Sequence, residues 1–326
     1  MPLLEVQGLD IVLTTPRGPA RAVRGVSFAL ERGEVLGIVG ESGCGKSLTA
    51  LSLMGLLPEG AQVSGRIRLD GQAIAADDEA TWCGIRGNRI GMIFQEPMSA
   101  LNPVQTIGAQ VSEPLRIHKG LSRASALDRS LQLLERVGIP NAVQRLDAYP
   151  HQFSGGQRQR IMIAMALACD PDVLIADEPT TALDVTIQKQ ILDLIAGLVR
   201  ERGMAMILIS HDLGVISQNV DQMLVMYGGS VVENGPTQDV FGRMAHPYTH
   251  GLFAARPRLG QARPERLETI PGSVPELVDL PAGCPFAGRC RFAIDVCQHT
   301  PPPAVALGGG HWARCGRIDA QGRMPV

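Results

Sequence analysis

Residues 40–47 read GESGCGKS, and the prediction of the fold begins there. Residues 32–40 are a turn followed by a short apolar run typical of a buried strand, and they lead into this stretch. Residues 47–57 are predicted to form a helix. Glycines at such positions let the backbone bend around a phosphate group with its N–H groups pointing inward. A glycine-rich turn that binds no ligand is the alternative. A phosphate-binding loop between a strand and a helix favours an α/β fold.

Two side chains of this phosphate loop are of the types that bind a nucleoside triphosphate and its Mg²⁺ ion. Lys46 is expected to reach the β- and γ-phosphates of ATP, and the Ser47 hydroxyl to ligate Mg²⁺. The start of the following helix adds the positive end of its dipole. The residues predicted to contact the phosphates are Gly40, Glu41, Ser42, Gly43, Cys44, Gly45, Lys46 and Ser47.

An acidic pair ends a second apolar run, in VLIADEP at residues 173–179. Open α/β sheets bind ligands at the carboxyl ends of their strands. Asp177 is therefore predicted to hold Mg²⁺, usually through water, and Glu178 to polarise the attacking water as general base. Two solvated carboxylates that cap a strand are the alternative. The second carboxylate favours hydrolysis, since a protein that only binds nucleotide can omit it.

The predicted secondary structure and the composition change several times along the rest of the chain. Runs typical of strands lie at residues 3–13, 22–30 and 65–74. Residues 98–170 are predicted to form a helical subdomain, after which strand, helix and strand alternate again and imply a parallel sheet. Near residue 246 the chain becomes rich in Pro, Gly and Arg. We predict two domains, residues 1–245 and an extension at residues 246–326.

Four further motifs define the class of protein. They are IFQEP at residues 93–97, FSGGQRQR at 153–160, TTALD at 180–184 and SHD at 210–212. With the phosphate loop and the acidic pair they follow the order found in the nucleotide-binding subunits of ABC transporters, which the chain resembles over about residues 4–245. The resemblance implies the P-loop NTPase fold of ABC ATPases. Its parts are a parallel core sheet, an N-terminal antiparallel β subdomain, a helical signature subdomain and, here, an irregular C-terminal extension.

The resemblance also assigns roles to individual residues. It makes Gln95 the glutamine that senses Mg²⁺ and the attacking water, and His211 the histidine that bonds the γ-phosphate. With Glu178 these are the predicted catalytic residues, and Ser47, Gln95 and Asp177 are the predicted Mg²⁺ ligands. The residues that would contact ATP held by a second subunit are Ser154, Gly155, Gly156, Gln157 and Asp184. Phe153 departs from the family, where Leu is commoner.

The partners that the resemblance implies are all proteins. They are a second, homologous ATPase in a heterodimer, two transmembrane permeases that Gln95 would help to contact, and an extracytoplasmic peptide-binding protein. A net charge of −2 gives no reason to expect nucleic acid as a further partner. No run of eighteen apolar residues and no signal peptide is visible, so we expect a cytosolic protein. The resemblance implies that it lies peripherally at the cytoplasmic face of the inner membrane.

One feature of the family is missing. ABC ATPases usually stack adenine on an aromatic residue some twenty positions before the phosphate loop, and residues 12–24 contain none. Arg17 lies near that place, and a guanidinium group can stack on a base. A solvated turn residue is the alternative, so the contact to adenine stays open.

The sequence of the C-terminal extension indicates a subgroup of the ABC ATPases. HPYTHGL at residues 246–252 and the stretch from Pro271 to Cys290 resemble the C-terminal region of dipeptide and oligopeptide importer ATPases. The resemblance implies an ATPase that powers peptide import. The alternatives are an importer ATPase for nickel or another small solute, and a soluble ABC ATPase not linked to transport. His246 and His250 are interpreted as structural residues that open the extension.

Four cysteines close the chain, with spacing C-x5-C-x6-C-x17-C: Cys284, Cys290, Cys297 and Cys315. Thiols stay reduced in the cytosol, where clustered cysteines favour metal binding over disulfides. Structural zinc sites usually contain a closer C-x₂₋₄-C pair. Four thiolates in looser loops favour a [4Fe–4S] cluster, with Zn²⁺ or four ordinary thiols as alternatives. Either metal would order a segment that has little core of its own.

Overall fold

The computed structural model describes residues 1–181, 183–255 and 269–325; residues 256–268 of the predicted extension lie outside that range. The strands are β1 (Leu4–Thr15), β2 (Gly18–Leu30), β3 (Val35–Val39), β4 (Gln62–Leu69), β5 (Gln72–Ile74), β6 (Ile90–Ile93), β7 (Val173–Asp177), β8 (Ala205–Ile209), β9 (Gln222–Tyr227), β10 (Ser230–Pro236), β11 (Ala304–Gly308) and β12 (His311–Arg314). The helices are α1 (Lys46–Ser52), α2 (Glu79–Ile85), α3 (Pro97–Ala100), α4 (Ile107–Lys119), α5 (Arg123–Arg136), α6 (Ala142–Arg145), α7 (Gly155–Ala166), α8 (Val185–Arg202), α9 (Leu213–Asn219), α10 (Thr237–Arg243), α11 (Pro247–Ala254) and α12 (Val296–His299).

The first of two compact units comprises Met1–Leu3, Leu30–Glu34 and Ile74–Ile209. Its strands β6, β7 and β8 run parallel, with Ile90 opposite Val173 and Leu174 opposite Met206. Every residue of these three strands is buried, as expected for a parallel sheet covered on both faces. The predicted parallel core is confirmed here.

Helices α3 to α7 form the helical part of the same unit and run from Pro97 to Ala166, close to residues 98–170 predicted for the helical subdomain. Helix α5 begins where the sequence predicts, because the Ser122 hydroxyl accepts a hydrogen bond from the Ser125 N–H at 3.2 Å. Helix α7 packs against α4 and α5 and against strand β6. It therefore connects the helical part to the parallel strands.

The second unit comprises Leu4–Ala29, Val35–Ala73 and Ser210–Val326. One sheet has the order β2-β1-β4-β5, in which β1 and β4 are antiparallel with Leu4 opposite Leu69. The other strands of the unit lie in the order β11-β12-β10-β9-β3. Strand β9 is parallel to β3 and antiparallel to β10. The N-terminal antiparallel subdomain is thus present as predicted.

The extension adds two strands to this second sheet, which the sequence pattern did not indicate. Strand β12 pairs with β10, with Glu233 opposite Ala313. The Glu233 carboxylate is fully buried and accepts hydrogen bonds from the Ala245 and His246 N–H groups, both at 2.9 Å. His311 Nε2 of β12 lies 2.8 Å from the same carboxylate. A buried, fully engaged carboxylate therefore fixes both the start and the end of the extension.

His246 is a structural residue, as the sequence suggests. Its Nδ1 accepts a hydrogen bond from the Tyr248 N–H at 3.1 Å and so caps helix α11. The ring is buried, and burial lowers the pKa of His246 from 6.5 to about 4, against the smaller opposing effect of the Glu233 charge. The imidazole is therefore neutral at pH 7. Within the part of the chain that the structure describes, no helix is long and apolar enough to cross a membrane.

The His246 environment predicts a pH dependence of stability. The unfolded chain binds a proton at this site below about pH 6.5 and the folded chain only near pH 4. The free energy of unfolding should therefore fall as pH falls through this window, by up to about 3 kcal/mol. Urea unfolding of the full chain at several pH values measures it. His246→Asn, which keeps a capping acceptor but does not titrate, should lose this component; an unchanged pH profile would contradict the assignment.

Candidate functional site

The phosphate loop lies in the second unit, between β3 and α1. Gly40, Gly43 and Gly45 all have positive φ, of 154°, 78° and 97°. A Cβ atom on Gly45 would lie 2.5 Å from the Ala22 carbonyl oxygen, whereas one on Gly43 would meet no atom within 4 Å. Gly45 is thus required by space as well as by conformation.

The Lys46 ammonium group is held inside this loop. Its Nζ donates hydrogen bonds to the Gly40 and Glu41 carbonyl oxygens at 2.9 and 3.0 Å, and the side chain is buried. Ser47 follows as the second residue of helix α1, whose N-cap is Gly45. The loop therefore presents a positive charge and a hydroxyl at the start of a helix, as phosphate binding requires.

The Glu41 carboxylate in the same loop is unfavourable for anion binding unless its charge is neutralised. Arg289 of the extension does so with two hydrogen bonds, Nη1 to Oε2 at 2.7 Å and Nη2 to Oε1 at 3.1 Å. The Glu41 N–H donates to the Tyr248 hydroxyl at 2.8 Å. Sequence reasoning missed both partners, because contacts between residues 248 and 207 positions apart leave no local pattern.

The acidic pair lies in the first unit, at the carboxyl end of β7. Asp177 is buried as the last residue of that strand. Glu178 has a φ of +46°, an uncommon value for a residue with a side chain, and its N–H donates to the Ile209 carbonyl oxygen at 3.0 Å. Strained backbone that the surrounding structure holds in place is typical of functional positions.

The Glu178 carboxylate is oriented by two neighbours. Its Oε2 accepts hydrogen bonds from Gln95 Nε2 and from the Thr181 hydroxyl, each at 3.0 Å. The structure thus brings together two of the predicted catalytic residues, Gln95 and Glu178. Thr181 was not among the predicted site residues, although it lies in the TTALD motif. His211, the third predicted catalytic residue, is exposed in the second unit, just before the Asp212 N-cap of α9.

The predicted signature residues begin helix α7. The Ser154 hydroxyl accepts from the Gln157 N–H at 3.4 Å, and Gln157 Oε1 accepts from the Ser154 N–H at 3.1 Å, which together form a capping box. Ser154 and Gly155 are exposed, so the N-terminus of this twelve-residue helix faces outward. Asp184 is the N-cap of α8, and its side chain accepts a hydrogen bond from the Ile187 N–H at 3.0 Å.

Arg17 does not lie ready to stack on a base. Its guanidinium donates to both Asp279 carboxylate oxygens, at 2.8 and 2.7 Å, and to Glu276 at 2.6 Å. These carboxylates raise the pKa of Arg17, with the Asp279 hydrogen bond as the largest cause. Arg17 therefore joins the β1–β2 hairpin to the extension.

The four clustered cysteines line one cavity of about 120 Å³, with Phe286 among its apolar lining residues. Burial, as the largest cause, and the charges of the other three thiols together raise the pKa of the Cys284 thiol to about 12. Burial also raises the pKa of Cys290 and Cys315. Across residues 1–181, 183–255 and 269–325 the structure contains no group of three or more His, Cys, Asp or Glu side chains that could hold a metal ion. A metal centre here stays a prediction.

Comparison with known proteins identifies the family of the chain. Residues 23–181 match the family model for ABC transporters, and residues 232–297 match that for the C-terminal region of oligopeptide/dipeptide transporters. A putative peptide import ATP-binding protein of Brucella melitensis is 51% identical over an alignment that covers 96% of each chain. The chain belongs to the ABC transporter ATP-binding family. The oligopeptide transport ATP-binding protein OppD of Salmonella typhimurium is 50% identical over 92% of this ABC protein and 89% of its own length.

Solved structures agree with this family. An ATP-binding cassette, MJ0796, in a dimeric post-hydrolysis state bound to ADP and phosphate, matches 72% of this ABC protein and 98% of its own chain, with a TM-score of 0.64 and 27% identity. The protein cbiO1 of Clostridium perfringens, part of the ABC transporter complex cbiONQ, matches 74% of the chain and 92% of its own, with a TM-score of 0.61 and 29% identity. The predicted ABC ATPase fold is confirmed.

The phosphate loop gives a matched pair of glycine substitutions. Gly43→Ala adds only left-handed strain, which should destabilise the ABC protein by about 1–2 kcal/mol. Gly45→Ala adds the same strain and a clash with the Ala22 carbonyl oxygen, so it should destabilise more and weaken ATP binding at least tenfold. Urea unfolding and equilibrium binding of MgATP measure the two effects. Equal losses in both variants would contradict the role given to Gly45.

Proposed function

We propose that this protein is the ATP-hydrolysing subunit that powers the import of di- and oligopeptides through a membrane ABC transporter. One observation carries the proposal: a complete set of ABC hydrolysis motifs stands beside an extension matched by the oligopeptide/dipeptide transporter C-terminal model, residues 232–297. The names of relatives at about half identity support the peptide substrate. The alternative of an ABC ATPase not linked to transport lacks comparable support.

The phosphate loop is assigned to binding the triphosphate. Its backbone N–H groups and the Lys46 ammonium would bond the β- and γ-phosphate oxygens, while the Ser47 hydroxyl and Asp177, through water, would hold Mg²⁺. Lys46 would exchange its two carbonyl partners within the loop for phosphate oxygens. The ion pair between Arg289 and Glu41 supports this assignment, because it removes a negative charge from the loop.

Glu178 is assigned to the chemical step. Its carboxylate would accept a proton from the water that attacks the γ-phosphorus, while the leaving oxygen remains on ADP. The hydrogen bonds from Gln95 and Thr181 keep the carboxylate oriented, so little reorganisation is needed as the reaction proceeds. His211 would bond the γ-phosphate, and Gln95 would link this site to Mg²⁺ and to a membrane partner.

The signature residues are assigned to ATP held by a second ATPase subunit. Helix α7 begins at the surface, and its free N–H groups suit an anion. MJ0796 is described as dimeric with ADP and phosphate bound, which supports such a shared site. Asp184 would lie at the same interface. We propose that the partner is a homologous ATPase, and that two permeases and an extracytoplasmic peptide-binding protein complete a transporter at the inner membrane.

The four cysteines are proposed to hold a [4Fe–4S] cluster that orders the extension. A cavity of about 120 Å³ exceeds the roughly 10–15 Å³ that one water needs by this measure, so it suits a multi-atom group. The spacing favours the cluster over zinc, because it contains no C-x₂₋₄-C pair of the kind that structural zinc sites usually have. The cluster would supply four iron–thiolate bonds, and positive iron would favour the thiolate form that burial alone disfavours.

Replacing the proposed base tests the reaction. Glu178→Gln keeps the size of the side chain but removes the proton acceptor, so ATP turnover should fall about 100- to 10,000-fold while MgATP binding stays within about twofold. Phosphate release is measured in the assembled transporter with the partner ATPase's own site disabled. Thr181→Val, which removes only an orienting hydrogen bond, should cost much less. Turnover near the unaltered rate in Glu178→Gln would overturn the assignment.

Metal analysis tests the cysteine cluster. The full chain purified without oxygen should contain about four irons, absorb broadly near 400 nm and lose both properties in Cys290→Ser. Cys83→Ser, which removes an exposed cysteine elsewhere, should leave them unchanged. Loss of iron should also lower the midpoint of thermal unfolding of the extension. One zinc per chain without iron would contradict the cluster but leave the ordering role of a metal intact. A protein that contains neither iron nor zinc would contradict both the cluster and the ordering role.

A further inference from the structure

A second large cavity opens beside the phosphate loop and lies wholly within the second unit. Its volume is about 650 Å³, within the usual range for small-molecule sites. We call it the hairpin cavity. It is lined by the end of the β1–β2 hairpin, by Ser42 and Gly43 of the phosphate loop, and by residues 274–278 of the extension. The cavity therefore begins where the proposed phosphate site ends.

The walls of the hairpin cavity are mainly apolar. Pro16 and Ala20 line it from the hairpin, and Val274, Pro275 and Leu277 line it from the extension. None of these residues is aromatic. Aliphatic side chains and proline rings can still cover the two faces of a flat heterocycle, because contact with an apolar face needs area and not a second ring. The lining chemistry thus fits a purine better than a sugar or a phosphate.

An ion-pair cluster holds the two walls together. Arg17 of the hairpin binds Asp279 in a bidentate manner and also binds Glu276, and these two acidic residues flank Leu277 in the sequence. The pairs are exposed and add little to stability. Their effect is geometric, since they set the distance between the hairpin and the extension. A side chain engaged in this way is not available to stack on a base itself.

We propose that the extension forms one wall of the nucleotide-base site, and that adenine packs between the hairpin and residues 274–278. This inference rests on the proposed function, because it requires that the phosphate loop binds ATP. It accounts for the absence of an aromatic residue from residues 12–24. Leu277 then becomes a residue that determines nucleotide affinity without touching the reacting phosphates.

The test compares two ligands that share the phosphates and differ in the base. Equilibrium binding of MgATP and of magnesium tripolyphosphate is measured on the full chain and on Leu277→Asp. The variant should weaken MgATP binding about tenfold and change tripolyphosphate binding less than twofold. Ser273→Asp is the matched control, because Ser273 is exposed, does not line the cavity and adds the same charge. It should change neither affinity by more than twofold.

A second variant keeps the test decisive if Leu277→Asp does not fold. In Leu277→Trp the new indole should stack on adenine, so the variant should bind MgATP more tightly than the unaltered chain. MgATP should also quench the fluorescence of the new indole, measured against the unaltered chain, which contains Trp82 and Trp312. Tripolyphosphate should have neither effect. Equal effects on both ligands, or none on MgATP, would overturn this inference and leave the proposed function intact. Lys46→Ala should abolish binding of both ligands; absence of MgATP binding by the unaltered chain would overturn the inference and the proposed function together.

Discussion

The fully buried carboxylate of Glu233 is the interaction on which the arrangement of the second unit depends. A polar group in the interior is tolerated only when hydrogen bonds replace its hydration. The Ala245 and His246 N–H groups donate to Glu233, and His311 Nε2 lies within hydrogen-bond distance of the same carboxyl group. Strand β10 is thereby joined to the first turn of the extension and to its last strand. The Tyr227 ring contacts the rings of Tyr248 and Phe286, at centroid distances of 4.7 and 5.1 Å. These contacts join the end of β9, the neighbour of β10, to the extension.

The two parts of the proposed ATPase site use different physical means to hold their groups. The phosphate loop depends on backbone conformations that glycine alone adopts easily, and on the close approach of Ala22 to Gly45. The acidic end of β7 instead holds a glutamate in a left-handed conformation and orients its carboxylate through Gln95 and Thr181. In each case neighbouring residues determine where the reactive group lies: Ala22 beside the phosphate loop, and Gln95 and Thr181 beside Glu178. This is the preorganisation on which electrostatic catalysis depends.

Local patterns predicted the elements that local chemistry controls. The phosphate loop, the Ser122 cap of α5, the start of α7 and the fully buried strands β7 and β8 all follow from short sequence signals. Where competing local signals meet, the prediction was less accurate. The helix predicted over residues 47–57 ends at Ser52, because the chain turns there and Gly55 adopts a φ of +60°. The apolar residues that follow suggested further helix, although glycine favours a helix end.

Long-range contacts were not predictable from the sequence. Strands β11 and β12 lie in a segment rich in Pro and Gly, and β12 pairs with β10, about eighty residues earlier. Arg17 carries a guanidinium group that could stack on a base. Its orientation is instead determined by acidic partners more than 250 positions away in the sequence. The four cysteines could be grouped from their spacing, since they follow one another closely. What they bind depends on the distances between sulfur atoms, which spacing does not determine.

The pairing of Arg289 with Glu41 has a consequence for where this chain can be divided. Arg289 lies between Cys284 and Cys290, so the loop that carries two of the four thiols also carries the counter-ion of the phosphate loop. Tyr248, which accepts from the Glu41 N–H, likewise belongs to the extension. A fragment that stops at residue 245 would retain every ABC motif but expose a carboxylate within the loop that must receive a triphosphate. Motif content alone is therefore a poor guide to a minimal enzyme, because here the nucleotide-binding cassette is electrostatically complete only with its tail.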